Sequence, residues 1–352
     1  MRFSLLSKVF VFGVIVLAGS CKKQPEDLRM PYRQNVPALL ATRVSSYDLQ
    51  EVNFSFDLAV LKGDNETKEV QEFTGLPDSS FRFIDFLTTF PSNNTWVTHI
   101  IEKTEYVDSV RQNTFSTIFL IDQSEGPEKF DSTDYYNQRF QAFNAFYSTL
   151  NRQGNVVFSA YSRTTTSHNV LRIINNEFSD SWDEATAKSL LDLTHDQSGS
   201  SGLFDALEQA IRYFSAYNSE NKSITLFVRN KDDGKSNLNL AGIIDLANLN
   251  HVKINVIWLI RNTANVDLNA LRQLSSKTGG FSVYMGSIYQ SSSVFLGLTK
   301  LLRMEMSFYR VFVKMNIGAP NYFLPKYSTG VYLYYSPEFT YWNYVPLYLE
   351  KP

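Results

Sequence analysis

The chain changes rhythm twice. Between about residues 45 and 112, apolar positions recur at every second residue. Phe54, Phe56, Leu58 and Val60 alternate with Asn53, Ser55, Asp57 and Ala59, the period that buries one face of a β-strand. Gly63-Asp64-Asn65 reads as a turn. Residues 81–87 and 96–101 are further strand candidates, separated by Pro91-Ser92-Asn93-Asn94. From about Thr114 short β-rich apolar runs alternate with helical spacing. The runs are 116–121 (STIFLI), 155–161, 170–174, 223–228, 252–260 (VKINVIWLI) and 281–285. Between them, 131–150, 182–193, 203–214, 240–249, 268–276 and 287–304 carry apolar residues three and four apart, as amphipathic helices do. Beyond Met304 the period returns to two: Tyr309, Val311, Val313 and Met315 alternate with Arg310, Phe312 and Lys314, and 330–335 and 342–349 are also strand-like.

Six strands alternating with helices predict an α/β domain over 113–304, a doubly wound, mostly parallel six-stranded sheet with helices on both faces. The segments 45–112 and 305–352 flank it, and neither alone makes a sizeable sheet. Their pairing into one β subdomain is the economical expectation. In open α/β sheets ligands bind beyond the carboxyl ends of the strands. The loops after Ile121, after 170–174 and after Val228 are therefore where chemistry is to be sought.

The N-terminus adds a location. Arg2 and Lys8 precede an apolar run at 9–18 (VFVFGVIVLA), the length of a signal-peptide core and short for a permanent membrane span. Ala18-Gly19-Ser20 then leads into Cys21, the only cysteine among 352 residues. This arrangement resembles the lipobox of bacterial lipoproteins, although Ala18 stands where that motif usually has Leu. The resemblance implies removal of residues 1–20 and acylation of Cys21, with several acyl chains anchoring the protein to a membrane. Lys22 in place of Asp resembles members sent to the outer membrane. Residues 22–37 are mostly polar and interrupted by Pro25, Pro31 and Pro37, and 21–44 read as a tether.

Composition narrows the partners. Hydrophobic residues make up 43% and charged residues 19%, with a formal net charge of −2. That balance permits a packed core and lacks the dense basic surface that nucleic acid requires. The 20 Tyr and 27 Phe fit either an aromatic-rich core or an aromatic binding surface.

The loop after the first α/β strand reads Asp122-Gln123-Ser124-Glu125-Gly126. It resembles the von Willebrand factor A (VWA) family, whose first strand ends in Asp-x-Ser-x-Ser, the start of a metal-ion-dependent adhesion site. Three later stretches resemble family segments in the same order. They are Gly199-Ser200-Ser201-Gly202-Leu203-Phe204-Asp205-Ala206-Leu207, then 224–233 (ITLFVRNKDD), then 254–259 with 271–281 (LRQLSSKTGGF). The match covers about 115–302. It implies a Mg²⁺ or other divalent-cation site at Asp122, Ser124, Ser201 and Asn230, open to a carboxylate from a partner. This chain departs from the pattern at Gly126 for Ser, Ser201 for Thr and Asn230 for Asp. Two readings stay open: an altered cation site, aided by Glu125, Asp232 or Asp233, or a site closed by hydrogen bonds or by pairing of Asp122 with Arg229.

No enzyme is expected. His99, His168, His195 and His251 lack metal-ligand spacing, and Asp192, His195 and Asp196 read as a solvated helix end. There is no nucleophile elbow, phosphate loop or dinucleotide fingerprint, so no small-molecule cofactor is expected. The implied work is binding of a protein or surface ligand in the cell envelope. The alternative is an envelope assembly factor that uses the domain as a scaffold and its aromatic C-terminal segment for contacts.

Overall fold

A computed structural model of the chain describes residues 35–48, 50–63, 70–72, 74–83, 87–90, 93–108, 114–124, 146–147, 149–150, 154–163, 165–174, 178, 200–217, 221–228, 230–259, 267–285, 291–317, 326–334 and 342–350. Cys21, the leader, residues 131–145 of the expected helix 131–150 and the expected helix 182–193 lie outside the described residues. The strands are β1 (Asn35–Tyr47), β2 (Glu51–Gly63), β3 (Val70–Glu72), β4 (Phe81–Phe83), β5 (Leu87–Phe90), β6 (Asn93–Val107), β7 (Phe115–Asp122), β8 (Gly154–Tyr161), β9 (Leu171–Ile173), β10 (Lys222–Val228), β11 (Val252–Leu259), β12 (Ser282–Met285), β13 (Phe308–Ile317), β14 (Lys326–Tyr334) and β15 (Trp342–Glu350). The helices are α1 (Leu203–Ser215), α2 (Leu240–Leu249), α3 (Leu268–Thr278) and α4 (Ser291–Arg303).

Within 113–304 the strand order is β12-β11-β10-β7-β8-β9. The first five run parallel, and the edge strand β9 is antiparallel to β8. Every residue of β7 is buried, because both faces of this central strand are covered. Ile118 and Leu120 pack in one core with α1, α2 and α3, while Phe119 and Ile121 pack in a second core with α4. A fully buried side chain of this size contributes about 1.5–3 kcal/mol, so a strand without charges in its middle is driven to the centre.

The sheet does not stop at six strands. β1 pairs antiparallel with β12 through Ala38 and Leu39, then β2, β13, β6 and β5 follow in one continuous mixed sheet of 12 strands. Two expectations change. First, Asn35–Tyr47 is a strand, so a tether through residue 44 is too long. Pro37 is tolerated because β12 covers only Ala38 and Leu39, leaving the proline where β1 has a single neighbour, β2. Second, the six-stranded sheet with a separate β subdomain becomes one extended sheet. β13 lies between β2 and β6, so the two flanks interleave. β4, β14 and β15 form a second, three-stranded sheet. Its inward residues Val331, Leu333, Val345, Leu347 and Leu349 close a third core against Phe54, Phe56, Leu58, Val311 and Val313.

The helix ends are capped locally. Asn239 accepts from the Gly242 N–H to start α2, and Asp267 accepts from the Ala270 N–H to start α3. Gly279, at φ 72°, ends α3 in the left-handed conformation. A Cβ on the next residue, Gly280, would lie 2.1 Å from the Ile254 carbonyl oxygen, so only glycine lets the chain turn into β12.

Candidate functional site

Parallel pairing of β7 with β10 in register (Ile121 opposite Phe227) brings their carboxyl ends level. Asp122, the last residue of β7, is fully buried. Its Oδ1 accepts from the Ser124 N–H at 2.9 Å and from the Ser124 hydroxyl at 2.5 Å. Its Oδ2 accepts from the Asn230 N–H at 2.9 Å. The Asn230 side-chain amide then donates to Ser124 Oγ at 2.8 Å and to the Ser124 carbonyl at 3.3 Å. The carbonyl fixes the amide's orientation, since a flipped amide would set two acceptors against each other. Three of the four predicted residues thus form one closed hydrogen-bonded knot from loops more than a hundred residues apart.

Ser201 joins them less directly. Tyr161 of β8 stands opposite Asp122 in register, and Ser201 lies beside the Tyr161 ring hydroxyl. Among the described residues no hydrogen bond of ordinary geometry reaches either hydroxyl or the side-chain amide of Gln123. Burial, and after it the charge of Asp122, pushes the Tyr161 phenol well above its ordinary 10.0. Tyr161 therefore stays a neutral O–H next to the carboxylate.

A second knot holds the surrounding loops. Arg163, just after β8, is 4% exposed. Its Nε donates to Asp233 Oδ2 and its Nη2 to Asp205 Oδ2, both at 2.7 Å. Nη1 donates to the Ser167 carbonyl at 2.9 Å. His168 Nδ1 lies 2.8 Å from the same Asp205 oxygen. Burial alone would raise the Asp205 pKa, but the Asn237 N–H, the guanidinium and the imidazole hold it below its ordinary 3.8. Asp232 accepts from the Phe204 N–H at 3.0 Å, the Gly234 N–H at 2.9 Å and the Ser236 hydroxyl at 2.7 Å. This supplies the cap that Gly202 cannot give α1. Asp232 and Asp233 are thus committed to the loop scaffold and do not supplement Asp122. Arg163 carries no spacing signal. The clue available was an arginine following an apolar strand, with an aspartate inside the Leu203-Phe204-Asp205 stretch to receive it.

Other candidates are placed elsewhere. His99 stacks on Phe83 with ring centroids 4.4 Å apart, and His251 lies in the tight turn into β11 at φ 53°. Glu125, Gly126, Asp192, His195, Asp196 and Arg229 lie outside the described residues.

The resemblance to VWA domains implies a divalent cation at this rim, and the donor set does not fit one. A hard cation needs converging lone pairs. Among the described residues Asp122 alone brings a carboxylate to this point, both of its oxygens accept protein hydrogen bonds, and the Ser124 hydroxyl takes an N–H from Asn230. Where the family has a second carboxylate, the donor end of an amide points inward. The polar groups of Asp122, Ser124 and Asn230 satisfy one another.

No protein-family model and no curated protein matches the sequence. Among solved structures, proximal thread matrix protein 1 from the mussel byssus is 12% identical with a TM-score of 0.42, covering 64% of this chain and 49% of that one. The chain thus spans about half the length of the mussel protein. A von Willebrand factor type A protein from Catenulispora acidiphila is 10% identical at TM-score 0.41, covering 86% of this chain and 71% of that one. The mussel protein has also been solved with a zinc-occupied MIDAS motif, here 12% identical at TM-score 0.40 over 64% and 49% of the two chains.

Proposed function

We propose that the protein is a cell-envelope lipoprotein, anchored through Cys21 in the outer membrane, whose VWA-like half binds a protein partner at its carboxyl-end rim without a divalent cation. The observation that carries this is the closed Asp122–Ser124–Asn230 knot, seated among loops clamped by Arg163. Loops on a rigid scaffold are where binding residues concentrate. A knot whose own polar groups satisfy one another presents a fixed shape to a partner at little ordering cost. Catalysis has no support at this site. The Ser124 hydroxyl donates to an Asp122 carboxylate already engaged by two backbone N–H groups, and His168 is engaged by Asp205.

The alternative, an assembly scaffold whose aromatic C-terminal segment makes the contacts, has less support, because one face of β14 and β15 is buried against the large sheet. Deleting everything after Met304 does not separate the two readings. It would remove β13 from between β2 and β6.

Site-specific photo-crosslinking in cells separates them. A crosslinker at the exposed rim residue Lys235 is expected to trap one discrete partner, unchanged by chelator. One at Leu249, 78% exposed at the opposite end of the sheet, is expected to trap none. Equal trapping from both positions, or loss of trapping with chelator, contradicts the proposal. Cys21→Ala is expected to release the protein from the membrane fraction, and retention there contradicts the anchor.

A further inference from the structure

Along the same rim stands a buried cation with no anion beside it among the described residues. Two arginines among the described residues are buried, Arg163 at 4% and Arg272 at 6% exposure. Arg163 has two aspartates. Arg272, in the second turn of α3, has none among the described residues. Its Nη1 donates to the Leu347 carbonyl at 3.4 Å and to Asn269 Oδ1 at 3.5 Å, both at the outer limit of hydrogen bonding. Its Nε has no acceptor, and Nη2 makes no bond among the described residues. Burial lowers its pKa, the direction of a guanidinium short of counter-charge. A buried charge without a partner is strongly unfavourable, and an arginine in such a place is replaceable by an apolar residue unless something pairs with it.

The surroundings are rich in donors. Trp258 of β11 is in register with Val228 on one side and Tyr284 of β12 on the other. That row runs level with the end of β7, where Asp122 sits, and neighbouring strands are about 4.8 Å apart. The Trp258 indole N–H is buried without an acceptor. Its ring meets Tyr284 edge-on at 5.7 Å, Tyr284 meets Tyr344 at 6.3 Å, and Tyr344 feels the Arg272 charge. Burial raises the pKa of both phenols above the ordinary 10.0, so both remain O–H donors.

We propose that Arg272 is a carboxylate-binding site, whose Nη2 receives an oxygen of an acidic side chain or chain terminus of the partner that docks at this rim. The proposal rests on the rim-binding reading above and names the chemistry of its partner. A guanidinium nitrogen left without a bond pairs with a carboxylate through a charge-assisted hydrogen bond. A single negative charge balances a single guanidinium among aromatic rings. A doubly charged phosphate would leave charge unneutralised.

The test uses the full chain as wild type, Arg272→Met and Arg272→Lys. Each is titrated at constant ionic strength with acetate, inorganic phosphate, N-acetylglutamate amide and N-acetylglutamine amide, following heat and thermal midpoint. The wild type is expected to bind acetate and the glutamate derivative and to be stabilised by both, with the glutamine derivative inert. Arg272→Met is expected to lose at least tenfold in affinity, Arg272→Lys to fall between, and ligand-free Arg272→Met to keep or raise the midpoint. No carboxylate response in the wild type, or an equal one in Arg272→Met, overturns the proposal. So does a ligand-free Arg272→Met midpoint that falls as far as that of an Arg163 variant, which would make Arg272 structural. Tighter binding of phosphate overturns the carboxylate assignment. Acetate binding without binding of the glutamate derivative overturns its assignment to a protein partner. The titration needs no partner, so its failure is distinguishable from failure of the crosslinking.

Discussion

Asn230→Asp should turn a self-satisfied knot into a cation-dependent one. The Asn230 amide nitrogen is 2.8 Å from Ser124 Oγ, which is itself 2.5 Å from Asp122 Oδ1. A carboxylate at position 230 therefore lies within about 5 Å of Asp122, and at an effective dielectric of about 20 the repulsion is roughly 3 kcal/mol. The amide's donation to Ser124 is lost as well. At pH 8 with chelator, the variant's thermal midpoint should fall by roughly 4–6 °C. Mn²⁺ or Mg²⁺ should restore most of it, since a ligand at a hundred times its Kd contributes about 2.7 kcal/mol. Differential scanning calorimetry with and without cation reads both effects. A variant as stable as the wild type in chelator, or one that Mn²⁺ does not rescue, would refute the reasoning.

Arg163→Leu leaves Asp205 and Asp233 buried without their cation and should cost about 3–5 kcal/mol, measured by urea unfolding. The depressed pKa of Asp205 gives a pH prediction. A carboxylate whose folded pKa is below its unfolded value contributes stability that is complete above the unfolded value and lost as pH falls through the folded one. Wild-type stability should therefore decline on acidification below about pH 4, and the Asp205 share of that decline should shrink in Arg163→Leu. Gly280→Ala drives a methyl group into the Ile254 carbonyl and should cost at least about 3 kcal/mol. A loss under 1 kcal/mol would show that the chain can shift there.

The elements that were legible in the sequence are those whose physics is local. β7 announces itself because STIFLI has no charged residue and both its faces are buried. α2 and α3 announce themselves through apolar spacing. β1 was hidden because Pro37 and the polar residues before it read as linker, although its main partner β2 follows at once; its second partner, β12, lies over two hundred residues away. That non-local pairing also makes the two flanks extend one sheet and not a separate subdomain. At the site, Asp122, Ser124 and Asn230 could be brought together from motif order alone. What they do there could not, because it depends on which end of the Asn230 amide faces Ser124. The roles of Arg163, Asp232 and Asp233 emerge only once three loops are folded against each other.

The central claim, that Asn230 closes the Asp122 site against divalent cations, is tested most directly by titrating Mn²⁺ into the wild-type protein and following free Mn²⁺ by electron paramagnetic resonance. The account predicts no saturable binding up to millimolar Mn²⁺. Stoichiometric binding that disappears in Asp122→Ala would contradict it.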